Sequence, residues 1–111
     1  MNSVDEMRVS ILKDARGLSD ERAREIVEEN AKRMVELVCE KYNIVFPGWE
    51  FSLTQGFGWK VCARTLDLPG VKNPNLEISS PMGTFDELRF WLIGVADVLH
   101  NLQKVVLQLK G

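Results

Sequence analysis

The chain has 111 residues, of which 45% are hydrophobic, and its formal net charge is −2. This length predicts one domain over residues 1–111, large enough to bury a core. The slight acidity disfavours a nucleic-acid partner, because such binding needs a basic surface that displaces counterions. No apolar run is long enough to span a membrane, and the N-terminal residues are too charged for a signal peptide. We therefore expect a cytoplasmic protein, and two widely spaced cysteines suit a reducing compartment.

The segment at residues 3–16 carries helix signals at both ends. Residues 3–6 have the spacing of a capping box, and Gly17 is a natural helix stop. Apolar residues recur at helical spacing, with Leu12 beside them: Val4, Met7, Ile11 and Ala15. Alternation over residues 7–11 also fits a strand, and we favour the helix because of the two end signals.

A second helix is expected to begin at Ser19 and to end near Asn43, ahead of Pro47. Acidic residues in its first turn suit the positive end of the helix dipole. Its expected apolar face consists of Ala23, Ile26, Val27, Ala31, Met34, Val35 and Val38. The opposite face is rich in charges and is expected to be solvated rather than a binding site.

Two alternating segments, at residues 49–54 and 59–64, predict antiparallel strands. Only a loop with an odd number of residues keeps their aromatic side chains on one face, so we expect such a loop, centred on Gly56. The expected pairs are Phe51 with Val61, Leu53 with Trp59 and Glu50 with Cys62. A long loop with two turn motifs follows, and residues 76–79 predict a short third strand.

Residues 84–110 predict a long last helix, which opens with a second capping box at residues 84–87. Its apolar seam repeats in steps of four and three: Leu88, Leu92, Val95, Leu99, Leu102, Val106 and Leu109. The predicted fold class is therefore α+β, with the order α-α-β-β-β-α. The predicted layout has two layers, with helices packed on a three-stranded antiparallel meander.

The order of one helix, three strands and a last helix resembles that of double-stranded-RNA-binding domains. That family carries a cluster of lysines at the start of its last helix. This chain has Thr84-Phe-Asp-Glu-Leu88 at the corresponding place. The resemblance therefore implies an order of elements and does not extend to RNA binding.

No motif in the sequence assembles a catalytic or metal site. Cys39, Cys62 and His100 are the only cysteine and histidine residues, and they lack metal-ligand spacing. The sequence therefore implies no catalytic residue, metal or cofactor. Cys62 is a candidate reactive thiol, because Lys60 and Arg64 share its expected face and a positive neighbour favours the thiolate. A nucleophilic pair would need Cys62 to meet His100, and we expect the sheet to separate them.

The last helix has more apolar residues than one face can bury. Phe90, Ile93 and Leu107 lie off its seam, where they are either core residues or a partner surface. Phe57 is expected at a hairpin tip, and it defines a second candidate surface with Val71 and Lys72 in the long loop.

These surfaces predict a small non-enzymatic factor that binds another protein in an accessory, inhibitory or regulatory role. A homodimer formed through the last helix is a further expectation. The alternative hypothesis is a ligand-binding or enzymatic domain with a pocket between the sheet and the last helix, using Cys62 or His100.

Overall fold

The computed structural model describes residues 3–70, 72 and 74–110, except for the side chains of residues 105–107, 109 and 110. Its elements are α1 (Ser3–Arg16), α2 (Asp20–Val45), β1 (Trp49–Gln55), β2 (Trp59–Thr65), β3 (Glu77–Ser79) and α3 (Phe85–Lys110). The three strands form an antiparallel sheet in the order β1-β2-β3. The predicted α+β class and the order α-α-β-β-β-α are confirmed, including a helix rather than a strand at residues 3–16.

The chain divides into two compact units, Met1–Met34 (unit 1) and Val35–Gly111 (unit 2). Unit 1 contains α1 and the first part of α2, and unit 2 contains the end of α2, the sheet and α3. A single domain over residues 1–111 stays a prediction, which unfolding experiments can test.

Unit 1 is a helical hairpin with a small apolar core. Val9, Ala23 and Val27 are buried, and Leu12 and Leu18 pack against them. The turn begins at Gly17, whose φ of 62° is a left-handed conformation that glycine adopts without steric cost, and its N–H bonds the carbonyl of Lys13. Ser19 then caps α2, because its hydroxyl accepts a hydrogen bond from the Arg22 N–H at 3.2 Å.

The buried side of α1 differs from its longest apolar stripe. Val4, Met7 and Ile11 are more than half exposed, whereas Val9 is 2% exposed. Two apolar stripes compete on this helix, and α2 packs against the one that contains Val9 and Leu12. The stripe that the spacing identifies therefore remains on the surface.

Four charged side chains join α1 to the start of α2. Arg24 donates to both carboxylate oxygens of Glu6, at 2.6 and 3.0 Å, and to Asp20 at 2.7 Å. Lys13 also contacts Asp20, at 3.2 Å. The hydrogen bonds from Arg24 lower the pKa values of the Glu6 and Asp20 carboxyls, and Lys13 adds to the effect on Asp20. We call these four residues the Arg24 cluster.

The β1–β2 register differs from the expected one by two residues. Phe51 lies opposite Ala63 and Leu53 opposite Val61, and the loop is the three residues 56–58, centred on Phe57. The expected odd loop length is confirmed, whereas the expected pairs are wrong. A shift of two residues keeps every side chain on its expected face, because side chains alternate along a strand. Cys62 consequently faces Ser52 instead of Glu50.

The outer edge of β1 is partly covered by a side chain. Asn43 Oδ1 accepts a hydrogen bond from the Phe51 N–H at 2.6 Å, and its Nδ2 donates to the Phe51 carbonyl at 3.3 Å. The side-chain amide thus occupies the groups that another strand would use. The other edge is β3, which has only three residues.

The core of unit 2 lies between the sheet and two helical segments. It contains buried residues from α2, β1, β2 and α3, around Phe46, Phe51, Val61, Leu88 and Leu92. Tyr42 and Phe46 pack edge-on at 5.7 Å between ring centroids, and Tyr42 packs on Phe51 at 5.6 Å.

The seam of α3 is only partly buried. Leu88, Leu92 and Leu99 are buried and Val95 is partly buried, whereas Leu102 is 55% exposed. The expectation for Val106 and Leu109 falls on side chains outside the described residues. The capping box of this helix is confirmed, because the Thr84 hydroxyl accepts from the Glu87 N–H and Glu87 Oε1 accepts from the Thr84 N–H, both at 3.2 Å.

Candidate functional site

The outer side of α3 carries two exposed apolar side chains. Phe90 is 69% exposed and Ile93 is 44% exposed, although Ile93 directly follows the buried Leu92 and Phe90 directly precedes Trp91, which is partly buried against the core. Residues 90, 93 and 97 follow one another at helical spacing, so Asp97 shares the exposed side. The structure therefore leaves these two residues outside the core. The side chain of Leu107, the third candidate on this helix, is outside the described residues.

The β1–β2 loop presents Phe57 at its tip. Its side chain is fully exposed, and the Gly56 N–H donates to the Gly58 carbonyl at 3.0 Å to close the loop. Met82 lies against this loop: a Cβ atom at Gly58 would stand 3.2 Å from the Met82 sulfur. Met82 is itself 60% exposed. The loop and Met82 thus form a small apolar tip on unit 2.

The long loop between β2 and β3, which contains Lys72, does not form a common surface with Phe57. Phe57 precedes β2, whereas Lys72 follows it, and β2 is about 20 Å long at about 3.3 Å per residue. The Thr65 hydroxyl at the end of β2 donates to the Pro74 carbonyl, which holds the loop near that end. Lys72 is exposed, and Val71 is outside the described residues. Phe57 and Lys72 are therefore two separate candidates.

Cys62 lies half-buried on the sheet face opposite to the core. Its sulfur is 3.4 Å from the Ser79 hydroxyl and 3.9 Å from the Thr54 hydroxyl. Arg64, which was expected to favour its thiolate, instead binds Glu50 at 2.8 and 2.7 Å. The thiol therefore has hydroxyl neighbours, and its reactivity stays a prediction.

Cysteine and histidine are not brought together. Val61 and Ala63 point into the core, so Cys62 between them points away from it. His100 packs on the Phe46 ring at 4.8 Å between centroids, on the core side. Cys39 is buried in the core, and burial raises the pKa of its thiol to about 11, which suits a structural residue rather than a nucleophile.

A groove of about 540 Å³ runs beside α3 in unit 2. We call it the sheet–α3 groove, and its lining includes Trp49, Leu76, Ile78, Trp91, Val98 and Leu102. The alternative hypothesis placed a pocket between the sheet and the last helix, and the groove lies there. Neither Cys62 nor His100 is among its lining residues. Its described lining residues are apolar, so they offer shape and hydrophobic contact, and none of them could transfer a proton.

Unit 1 has a second groove, of about 560 Å³, between α1 and α2. We call it the α1–α2 groove. Ile11 and Met34 contribute to its apolar walls, and its charged lining residues are Arg8 and Arg33. This groove is not predicted from the sequence. The sequence signal that could have indicated it is the number of apolar residues on α1, which exceeds what one short helix can bury against a single neighbouring helix.

Within the residues that the structure describes, no group of three or more His, Cys, Asp or Glu side chains could hold a metal ion. In the same part of the chain, no helix is both long and apolar enough to cross a membrane. Comparison with known proteins gave no family model, no curated protein and no solved structure that matches this chain.

Proposed function

We propose that this chain is a small, non-enzymatic interaction factor that binds another protein through the exposed side of α3. The observation that carries the proposal is the exposure of Phe90 and Ile93 on a helix whose other side builds the core of unit 2. Large apolar side chains that remain exposed next to each other are typical of partner surfaces. An aromatic residue there is the usual kind of anchor.

The role of such a factor is accessory, inhibitory or regulatory, and its partner is a protein rather than nucleic acid. We expect it to act in the cytoplasm. Self-association through the same side of α3 is part of the proposal, because a second copy would present the same apolar residues across a twofold axis. Light scattering of the purified chain over a range of concentrations measures this directly.

The test is a pull-down from the host lysate with the tagged full chain and with the double variant Phe90→Asp, Ile93→Asp. We expect one stoichiometric partner with the unmodified chain and its loss with the variant, because a buried unpaired carboxylate opposes docking. Gln103→Asp, at an exposed polar position of the same helix, is the matched control. Equal recovery of the partner and an unchanged oligomeric state with the double variant would exclude this surface.

The sheet–α3 groove favours a second candidate function, the binding of a small apolar ligand. Its volume lies within the range of ligand pockets, and Trp49 and Trp91 would report occupancy by their fluorescence. Titration with 1-anilinonaphthalene-8-sulfonate should quench these tryptophans, and Val98→Asp should abolish the quenching. Quenching that Val98→Asp leaves unchanged would assign the dye to another site.

A further inference from the structure

The α1–α2 groove combines apolar walls with positive charge at its rim. Ile11 is 58% exposed and Met34 is 43% exposed, so the apolar side chains are open to solvent. The charged lining residues that the structure describes there are both arginines, Arg8 and Arg33. The groove therefore presents two guanidinium groups beside its apolar walls, on a chain whose net charge is −2.

The groove continues into the exposed stripe of α1. Val4, Met7 and Ile11 are 51%, 63% and 58% exposed, and they recur at i, i+3 and i+7. Ile11 belongs to both the stripe and the groove. At about 1.5 Å per residue, the stripe extends for about 10 Å along the helix, which is two turns. The apolar surface is therefore long and open rather than compact and enclosed.

The guanidinium of Arg8 retains the capacity to bind a carboxylate. Its Nη1 lies 3.4 Å from Asp5 Oδ1, which is a long contact for a charge-assisted hydrogen bond. A guanidinium has several further N–H donors in a planar fork that matches a carboxylate. Its side chain is 50% exposed, so an incoming carboxylate can reach these donors.

We propose that the α1–α2 groove binds an amphipathic helix of another protein, one that carries Asp or Glu beside its apolar stripe. The apolar residues of that helix pack on Ile11 and Met34 and along the stripe of α1. Its carboxylates pair with Arg8 and Arg33. A helix laid in a groove between two helices is a common mode of recognition, read by anchors at i, i+3 or i+4 and i+7.

The openness of the walls favours a helix over a small amphipathic ligand such as a fatty-acid anion. Pockets for small ligands enclose most of the ligand surface, whereas Met7, Ile11 and Met34 are all well exposed. The proposal concerns unit 1 and does not depend on Phe90 or Ile93. A negative result for the exposed side of α3 therefore does not count against the α1–α2 groove, and a negative result for the groove does not count against α3.

The test uses the full chain and a fluorescein-labelled peptide of about 18 residues, long enough to form a helix. The peptide has Leu at i, i+3 and i+7 and Glu at the flanking positions, and a matched peptide has Lys in place of Glu. Fluorescence anisotropy should show binding of the acidic peptide and at least about tenfold weaker binding of the basic one.

Variants of the chain locate the binding. Arg8→Glu with Arg33→Glu should lower the affinity for the acidic peptide at least about tenfold and raise the affinity for the basic peptide, since each charge pair is reversed. Met7→Asp with Ile11→Asp should abolish binding of both. Arg16→Glu, an exposed change at the end of the same helix, is the control and should leave both affinities within about twofold. If the double variant Arg8→Glu with Arg33→Glu unfolds, the single variant Arg8→Gln at low salt should still bind the acidic peptide with lower affinity than the unmodified chain.

Three results would overturn the proposal. The first is no binding of the acidic peptide up to about 1 mM, the level of a very weak complex. The second is binding that the arginine variants leave unchanged. The third is a different occupant: oleate that displaces the peptide and itself needs Arg8, or a dimer in light scattering that Met7→Asp with Ile11→Asp dissolves.

Discussion

The two units of the chain hold their helices in different ways. Unit 1 buries three small side chains, Val9, Ala23 and Val27, and joins its helices at the surface through the Arg24 cluster. Among the described residues of unit 2, ten form a buried apolar core that includes Phe46 and Phe51, with Tyr42 and the tryptophans packed around it.

The difference lies in the kind of free energy that each unit depends on. Burial of a large apolar side chain contributes about 2 kcal/mol, and it changes little with salt or mild acid. Exposed ion pairs contribute less and are screened by salt. Unit 1 should therefore be the less stable part of the chain and the one that responds to pH. Substitutions in each unit can test that contrast.

Phe46→Ala should give the largest loss of stability, about 4 kcal/mol, because it removes a fully buried ring from the core of unit 2. The free energy of unfolding from urea titration measures the effect. Phe57→Ala is the matched control: it removes the same ring from a fully exposed position and should change stability by less than about 0.5 kcal/mol. A similar loss for both variants would contradict the assignment of the core.

Val27→Ala tests whether the two units unfold together. Val27 is 4% exposed in unit 1, and removal of two buried carbon groups should cost about 2 kcal/mol. Hydrogen exchange with mass spectrometry should show faster exchange in α1 while the amides of β2 and α3 keep their protection. Equal acceleration throughout would instead support one cooperative domain over residues 1–111. Val98→Ala, at an exposed position of α3 in unit 2, is the control.

The sequence predicts the elements of this fold well because their signals are local. The capping box at residues 84–87, the stop at Gly17 and the alternation in β1 each depend on neighbours a few residues apart, and each is confirmed. Local alternation also gives which side of the sheet each residue faces. It does not give the pairing itself, because Phe51 opposite Val61 and Phe51 opposite Ala63 leave the same faces buried.

The candidate sites are less predictable because they depend on which of two surfaces a neighbour covers. The exposure of Phe57 can be predicted from the sequence, since the residue lies in the short loop between β1 and β2, and its side chain is fully exposed. The α1 stripe has the spacing of a packed face, yet α2 covers the side with Val9, and only the fold decides between them. Both grooves bring together residues that are distant in sequence, so no short motif marks them.

Thr84→Ala should lower stability by about 1 kcal/mol, the usual cost of a lost N-cap. The Thr84 hydroxyl accepts from the Glu87 N–H at the start of α3, so the helix that carries Phe90 and Ile93 would fray at its first turn. Thr84→Ser keeps the hydroxyl and should restore the stability. A loss in Thr84→Ser equal to that in Thr84→Ala would show that the methyl group, and not the cap, is responsible. Urea titration of both variants distinguishes these results.

The smallest effect on stability is expected at the Arg24 cluster. The dependence of this effect on pH distinguishes it from the effects of apolar packing. Hydrogen bonds from Arg24 hold the pKa values of Glu6 and Asp20 below their ordinary values of 4.5 and 3.8. In the unfolded chain these carboxyls bind protons at a higher pH than in the folded chain. Their contribution is therefore complete above about pH 5 and is lost as the pH falls through the folded-state pKa values.

Arg24→Gln should therefore lower stability more at pH 6 than at pH 3, because the contribution of these two carboxyls decreases as the pH falls toward their lowered folded-state pKa values. The size of the effect at pH 6 should fall as salt is added, because all of these side chains are exposed. Arg16→Gln, at the end of α1, has no such dependence and is the control. An equal loss from Arg24→Gln at both pH values would mean that the aliphatic part of Arg24 stabilises the hairpin by packing. Unit 1 would then depend on apolar contact, as unit 2 does, and the contrast between the two would disappear.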